Sequence, residues 1–129
     1  MVLVDTSAWI DHLRVGDRKL VRLLEDGEVG VHPLVIGELA CGNLRNRREI
    51  LALLADLPSV ERVSDEEVLF FIERHRLSGR GLGLVDVHLL ASCAAGEVAL
   101  WTKDTRLMKS ARQLGLGEGW RWTQRRAEV

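Results

Sequence analysis

Short runs of consecutive apolar residues alternate along this chain with longer segments in which apolar residues recur every three or four positions. The short runs are typical of strands buried on both faces, and the longer segments are typical of amphipathic helices. The runs, together with one alternating stretch ("WRWT"), predict strands at residues 2–4, 29–33, 60–63, 98–102 and 120–123. The periodic segments predict helices at residues 7–13, 17–24, 34–41, 45–54, 64–77, 84–95 and 104–114.

Several of the predicted helix boundaries have a local signal. Asp17 and Asp104 are suited to be N-caps, because a carboxylate accepts hydrogen bonds from the first N–H groups of a helix. Pro33 suits a first helical turn, and Ser64 followed by three acids resembles a capping box. Because strands alternate with helices throughout, the pattern predicts an α/β fold with a mainly parallel central sheet covered on both faces.

Composition is consistent with one globular domain spanning residues 1–129. The chain is 47% hydrophobic and 29% charged, has no linker or repeat, and has no apolar run near the roughly 20 residues of a membrane span. The first residues lack the basic segment and cleavage site of a signal peptide. Cys41 and Cys93 are far apart and form no CxxC motif. We therefore expect a reduced cytoplasmic protein with two buried thiols.

The net charge of −1 argues against a generally basic nucleic-acid binder, but the charges are unevenly distributed. Residues 103–126 contain seven basic residues and two acids. Such a local excess suits contact with phosphates or with an acidic partner. A solvated helix face followed by a basic tail is the alternative.

Three acidic residues follow predicted strands or begin predicted helices. In an open parallel sheet, functional groups collect beyond the carboxyl ends of the strands, at the following helix starts. Asp5 ends the first strand, Asp104 comes shortly after the strand at 98–102, and Asp86 lies in the first turn of the helix at 84–95. A structural role is also open to each, since Asp5 and Asp104 can cap helices and Asp86 suits a positive helix start.

Glu38 has a weaker structural explanation. It lies inside a short, mostly apolar helix, in "LVIGELACG", which predicts a carboxylate against the core or in a crevice. An unpaired buried carboxylate is strongly unfavourable, so we expect a cationic group near it.

If several of these carboxylates converge, a divalent metal would account for them. The four histidines are scattered and no Cys/His cluster predicts zinc. Carboxylates that converge repel one another unless they are neutralised, and oxygen-only ligands select Mg²⁺ or Mn²⁺. Such a site is typical of phosphodiester hydrolysis.

Four segments of the chain closely resemble, in order and spacing, the acidic motifs of PIN-domain ribonucleases, particularly the VapC-type toxins of bacterial toxin–antitoxin pairs. The segments are "VLVDTSAWI", "VIGELACG", "GRGLGLVDVHLLAS" and "LWTKDTRL", and they span residues 2 to about 116. The resemblance implies a PIN-like three-layer α/β/α sandwich and an endoribonuclease that cuts RNA with a metal-activated water.

The resemblance also implies roles for individual residues. Four acids would hold one or two Mg²⁺ or Mn²⁺ ions: Asp5, Glu38, Asp86 and Asp104. Asp104 would bind the metal directly or through water. Hydroxyls would support these acids, those of Thr6 or Ser7 around Asp5 and that of Thr102 near Asp104. Helix capping is the alternative role for the hydroxyls.

The implied partners are RNA, a second copy of the chain and an antitoxin. RNA phosphates would meet Arg80, Lys103 and Arg106, for which surface solvation is the alternative. The family forms homodimers, and higher assemblies with antitoxin are an option. It is inhibited by a small antitoxin whose C-terminal segment enters the active-site groove. An acidic pocket without metal would accept a partner's arginine.

Rival classes fit the sequence less well. A haloacid-dehalogenase phosphatase needs a second acid two residues after Asp5, where Ser7 stands. A receiver domain needs an acceptor after a central strand, and Asp56 before Leu57-Pro58 fits poorly. No GxxxxGK phosphate loop is present. A non-catalytic alternative is a binding protein whose acidic pocket receives a basic partner peptide.

Overall fold

The computed structural model describes residues 1–117, and in this part of the chain it has three strands and seven helices. The elements in chain order are β1 (Val2–Val4), α1 (Thr6–Val15), α2 (Arg18–Glu25), β2 (Val29–Gly30), α3 (Pro33–Cys41), α4 (Arg47–Ala55), α5 (Asp65–His75), α6 (Leu84–Gly96), β3 (Ala99–Trp101) and α7 (Thr105–Gln113). All seven predicted helices are confirmed, each with ends within two residues of the prediction. The strand predicted at 120–123, with Trp120 and Trp122, lies outside the described residues.

A parallel sheet with strand order β2-β1-β3 forms the middle layer of the α/β/α sandwich, which confirms the predicted fold class. In its register, Leu3 of β1 pairs with Gly30 on one side and with Leu100 on the other. Single parallel bridges at Ser59 and Gly117 extend the sheet by one position at each edge. Every residue of β1 is buried, as expected for a strand with helices on both faces.

The predicted strand at 60–63 is wrong. Among the described residues, the segment at 58–63 forms backbone hydrogen bonds to the sheet edge only at Val31. Val31 N–H donates to Pro58 O (2.8 Å), and Val31 O accepts the N–H of Val60 (2.9 Å). After Val31 the neighbouring chain turns into α3, so no strand remains for residues 61–63 to pair with. Val60 and Val63 are nevertheless buried. The apolar pattern therefore indicates side chains anchored in the core and not a strand.

The expectation of two buried thiols is right for Cys93 and wrong for Cys41, which is exposed. Helix α3 buries Val35 and Leu39, which are four positions apart and share one face. Cys41 follows Leu39 by two positions, which is about 200° around the helix, so it faces the opposite side. Within residues 1–117, no helix combines the length and apolar character that a membrane crossing requires.

Candidate active site

Asp5 occupies the carboxyl end of β1 and is 6% exposed. Its N–H donates to Trp101 O (3.0 Å), which ties the end of β1 to the end of β3. Asp5 is the N-cap of α1, because its Oδ1 accepts the N–H of Ser7 (2.9 Å). Its Oδ2 accepts the hydroxyl protons of Ser7 (3.0 Å) and Thr102. Helix capping at this position therefore belongs to Asp5 itself, and the hydroxyls of Ser7 and Thr102 hold its other oxygen.

The Ser7 and Thr102 hydroxyls connect Asp5 to the loop between β3 and α7. Besides donating to Asp5, Ser7 Oγ accepts the N–H of Lys103 (3.0 Å) and Thr102 Oγ1 accepts the N–H of Asp104 (3.0 Å). The two hydroxyl oxygens lie 3.2 Å apart, but each has used its one proton on Asp5. This pair therefore fixes the backbone of Asp104 relative to the carboxylate of Asp5.

Asp104 and Asp86 lie at the starts of α7 and α6. Asp104 is an exposed N-cap whose Oδ1 accepts the N–H groups of Arg106 (2.9 Å) and Leu107 (3.1 Å). Asp86 is the third residue of α6 and is half-buried, and its Oδ2 accepts the N–H of Gly83 (2.9 Å). Both acids therefore stabilise helix starts, as negative charges do at the positive end of a helix dipole.

Glu38 lies on α3 and is exposed, and it lines a groove between α1, α3 and α4. Of the two predicted positions, the crevice is therefore confirmed and the position against the core is wrong. The face of α3 that packs inward has Val35 and Leu39, and Glu38 faces solvent beside it. Its Oε1 accepts the hydroxyl proton of Thr6 (2.6 Å). Thr6 thus holds Glu38 and not Asp5. No Lys, Arg or His among residues 1–117 forms an ion pair with Glu38, and exposure to water removes the need for one.

The four carboxylates share one electrostatic environment. Burial raises the pKa of Asp86 above its ordinary value, and the Gly83 hydrogen bond opposes this rise. The negative charges of Asp5, Asp104 and Glu38 raise the pKa of Asp86 further. Acids from four separate segments of the chain are therefore near enough for the charges of three of them to act on the fourth, Asp86.

The chemistry of this donor set fits a hard divalent cation. All of the converging groups are oxygen donors, and a cation would relieve the repulsion among them. In the described part of the chain, however, no three or more His, Cys, Asp or Glu side chains lie close enough to hold a metal ion in their present arrangement. Each carboxylate is turned toward a hydroxyl or a backbone N–H of its own neighbourhood, so binding by the full set requires side-chain rotation.

The three basic candidates have different surroundings. Lys103 Nζ lies 3.7 Å from Asp17 Oδ2 and 5.7 Å from the centre of the Trp101 ring, so it is engaged toward the start of α2. Arg80 Nη1 donates to Gln113 Oε1, which connects the loop at 78–83 to α7. Arg106 lies on the same side of α7 as Gln113.

Two of the scattered histidines form a buried pair. The rings of His32 and His88 are 6.5 Å apart between centroids, and His32 Nδ1 caps α3 by accepting the N–H of Leu34 (3.0 Å). Burial, the nearby His88 and the positive Arg62 lower the pKa of His32 to about 4. His88 Nε2 lies 3.6 Å from Asp65 Oδ1 at the start of α5. The pair therefore contributes to the packing of α3, α5 and α6 and contains no acid of the site.

Comparisons with known proteins identify the family and the fold of the chain. The PIN domain family model matches residues 2–113. The chain is 51% identical over 117 residues to ribonuclease VapC32 of Mycobacterium tuberculosis, in both strain CDC 1551 and strain H37Rv, which covers 90% of this chain and 94% of each relative. The crystal structure of PAE2754 from Pyrobaculum aerophilum superposes with a TM-score of 0.63 at 17% identity and covers 84% of this chain and 83% of the other. At that identity the likeness supports the fold alone.

Proposed function

The chain belongs to the PIN-domain family, among its VapC-type members, and on that basis we propose that it is a metal-dependent endoribonuclease and the toxin of a toxin–antitoxin pair. The observation that supports this most strongly is the proximity of acids from separate segments. The Thr102 hydroxyl ties the backbone of Asp104 to the carboxylate of Asp5, and the charges of Asp5, Asp104 and Glu38 add to the effect of burial in raising the pKa of Asp86. Acids that repel one another at an exposed edge of a sheet are unfavourable for the fold, and a divalent cation would offset that repulsion.

In this proposal Asp5, Glu38, Asp86 and Asp104 hold one or two Mg²⁺ or Mn²⁺ ions. When bound, the metal would supply an activated water and stabilise charge on the phosphate. Asp5 would be the most rigid ligand, because its carboxylate is buried and accepts three hydrogen bonds. Glu38 and Asp104 are exposed and would rotate toward the metal, with Asp104 acting directly or through water.

The hydroxyls have separate tasks in the same mechanism. Ser7 and Thr102 orient Asp5 and tie it to the backbone of Asp104, while Thr6 orients Glu38. Arg80 and Arg106 would meet the phosphates of RNA, and Lys103 would do so after leaving Asp17.

An inhibiting antitoxin of the VapB type is part of the proposal. A groove of about 590 Å³ between α1, α3 and α4 leads to Glu38, and its walls include Ile10, Leu13 and Leu39. Ile10 and Leu13 are exposed apolar side chains. A partner segment with apolar side chains and one arginine would match this groove, because the arginine would reach the carboxylate of Glu38.

A homodimer in the cytoplasm completes the proposal, with larger assemblies once antitoxin is bound. Leu69 and Phe70 on α5 are 62% and 66% exposed, and a second copy would cover them. We expect the wild-type chain to sediment as a dimer and Phe70→Glu to sediment as a monomer. A monomeric wild type would contradict the dimer and leave the nuclease proposal in place.

The nuclease proposal is tested by RNA cleavage with Mg²⁺ or Mn²⁺ and with chelator. We expect cleavage with metal only, and loss of it in Asp5→Asn and Asp86→Asn. Asp56→Asn, a substitution of the exposed C-cap of α4, is the matched control and should cleave like the wild type. Mapping RNA 5′ ends after a pulse of expression of the wild type and Asp5→Asn would identify the substrate. Persistent cleavage in both site variants would contradict the mechanism.

A second candidate is a binding protein whose acidic pocket receives a basic peptide. It is favoured by one observation, that no three acids of residues 1–117 are already at metal-binding distance. This candidate predicts no calorimetric heat with Mn²⁺, no RNA cleavage and binding of an arginine-containing peptide that Asp86→Asn weakens. Metal-dependent cleavage would exclude it.

A further inference from the structure

A second groove lies beside the acid site and is lined by polar side chains. It measures about 270 Å³, and we call it the basic groove; its lining residues are Arg80, Arg106, Lys109, Ser110 and Gln113. One wall is the loop at 78–83, which leads into Gly83 and the hydrogen bond to Asp86. The other wall is α7, which Asp104 caps. The two segments that form the basic groove are therefore the ones that position two acids of the site.

The contact between the two walls depends on Gly81. Its φ of +76° lies in the left-handed region that favours glycine, and a Cβ at this position would lie 2.9 Å from Arg106 Cδ. The aliphatic part of Arg106 thus packs directly on the glycine backbone. From the loop side, Arg80 reaches across to Gln113 on α7. Both guanidinium groups are held at the same groove by contacts from the opposite wall.

The basic groove brings together three positive charges without negative partners. No Asp or Glu of residues 1–117 forms an ion pair with Arg80, Arg106 or Lys109, whereas Lys103 has Asp17. The α7 side chains at 106, 109, 110 and 113 follow helical spacing, so the positive face extends about 10 Å along the helix. An anion with more than one charge would neutralise this face.

We propose that the basic groove binds backbone phosphates of single-stranded RNA beside the bond that is cut, and thereby sets the path of the strand into the acid site. This inference rests on the proposed nuclease function. Arginine guanidinium groups bind phosphate through paired hydrogen bonds, and lysine contributes a point charge. The lining has no apolar side chain, unlike the centre of a protein interface, and a positively charged groove beside the backbone is typical of single-strand binding.

The test measures how RNA binding depends on salt. A fluorescent single-stranded oligoribonucleotide is titrated with the wild-type chain in chelator, with gels to show that the RNA stays intact, and Kd is measured at several salt concentrations. Each phosphate contact contributes about 0.7 to the slope of log Kd against log salt. We therefore expect Arg80→Gln, Arg106→Gln and Lys109→Gln each to reduce the slope by about 0.7. The triple variant should reduce it by about 2.

The matched control is Arg48→Gln, which removes an exposed charge from α4, a helix that packs against α3. It should leave the slope unchanged. Slopes that do not differ between the wild type and the triple variant would overturn the basic groove as a phosphate site. Displacement of RNA by polyglutamate from the wild type but not from the triple variant would support a shared anion site. Binding of polyglutamate without any binding of RNA would overturn the RNA assignment.

RNA cleavage tests the nuclease function separately from phosphate binding at the basic groove. Cleavage by the wild type with Mn²⁺, together with an unchanged salt slope in the triple variant, would overturn the basic groove and leave the nuclease in place. A reduced slope without cleavage under any metal would support the basic groove as an RNA site and contradict the nuclease.

Discussion

The Thr102→Val substitution tests the hydroxyl bridge between the two strand ends. Thr102 is 2% exposed, and valine preserves its shape while removing the hydroxyl that donates to Asp5 and accepts from Asp104 N. A hydrogen bond to a charged group contributes roughly 1.5–3 kcal/mol, and an unsatisfied buried donor costs about 1–3 kcal/mol. Because Asp104 is partly in water, its N–H can bond to water in the variant, and the cost of the unsatisfied donor is therefore smaller than for a fully buried group. We expect the free energy of unfolding to fall by about 2–4 kcal/mol.

The assay is urea and thermal unfolding at pH 7 in chelator. A loss of this size corresponds to a Tm about 10 °C lower for a domain of this length. Thr102→Ser retains the hydroxyl and should lose only about 1 kcal/mol, for the missing methyl group. Thr105→Val, at the exposed first residue of α7, should change stability by less than about 0.5 kcal/mol.

A second readout separates the bridge from packing alone. If Thr102 fixes Asp104 relative to Asp5, the rise in Tm on adding Mn²⁺ should be smaller in Thr102→Val than in Thr102→Ser. Equal stability and equal Mn²⁺ response in these two variants would refute the argument from the hydroxyl.

Three further predictions concern charge, pH and the left-handed loop. Asp86→Asn should raise Tm in chelator, because it removes a negative charge that burial disfavours most and that the neighbouring acids repel, and it should abolish stabilisation by Mn²⁺; a lower Tm in chelator would contradict this. The pKa of His32 is about 4 in the folded chain against 6.5 unfolded, so the unfolded state takes up the proton first and stability should fall by at most about 3 kcal/mol between pH 7 and pH 4. His32→Asn, which retains a capping side chain, should reduce this fall in stability between pH 7 and pH 4. The same fall in the variant as in the wild type would contradict the assignment of the effect to His32. Gly81→Ala should cost about 1 kcal/mol through backbone strain and should weaken RNA binding through Arg106; wild-type affinity would argue against that contact.

The helices could be predicted because their signals are local. Apolar spacing and capping residues such as Asp17 and Ser64 stand within a few positions of the boundaries that they set, and each caps its helix as expected. The strand at 60–63 failed because a strand needs a neighbour, and the sequence does not show that the chain beside it turns into α3 after Val31. The predicted burial of Cys41 failed for a different reason, because the sequence does not show which side of α3 packs inward.

The placement of Asp5, Asp86 and Asp104 beyond the strand ends was predicted from the rule that functional groups collect at the carboxyl edge of a parallel sheet. The addition of Glu38, which lies inside α3, came from the family resemblance. What the sequence could not show is which atoms meet. Lys103 forms an ion pair with Asp17, and Glu38 accepts a hydrogen bond from Thr6. In each pair the two residues are far apart in the chain. Lys109 and Gln113 were missed as partners of Arg106, although their helical spacing was a usable signal.

Asp5 and Asp104 each begin a helix with the same carboxylate that contributes to the acid site. Asparagine caps a helix about as well as aspartate, whereas alanine costs about 1 kcal/mol at such a position. A single base change in either codon can therefore remove the charge and leave the helix start intact. In the proposed nuclease, an inactive chain that keeps its helix starts therefore lies one base change away from the active form.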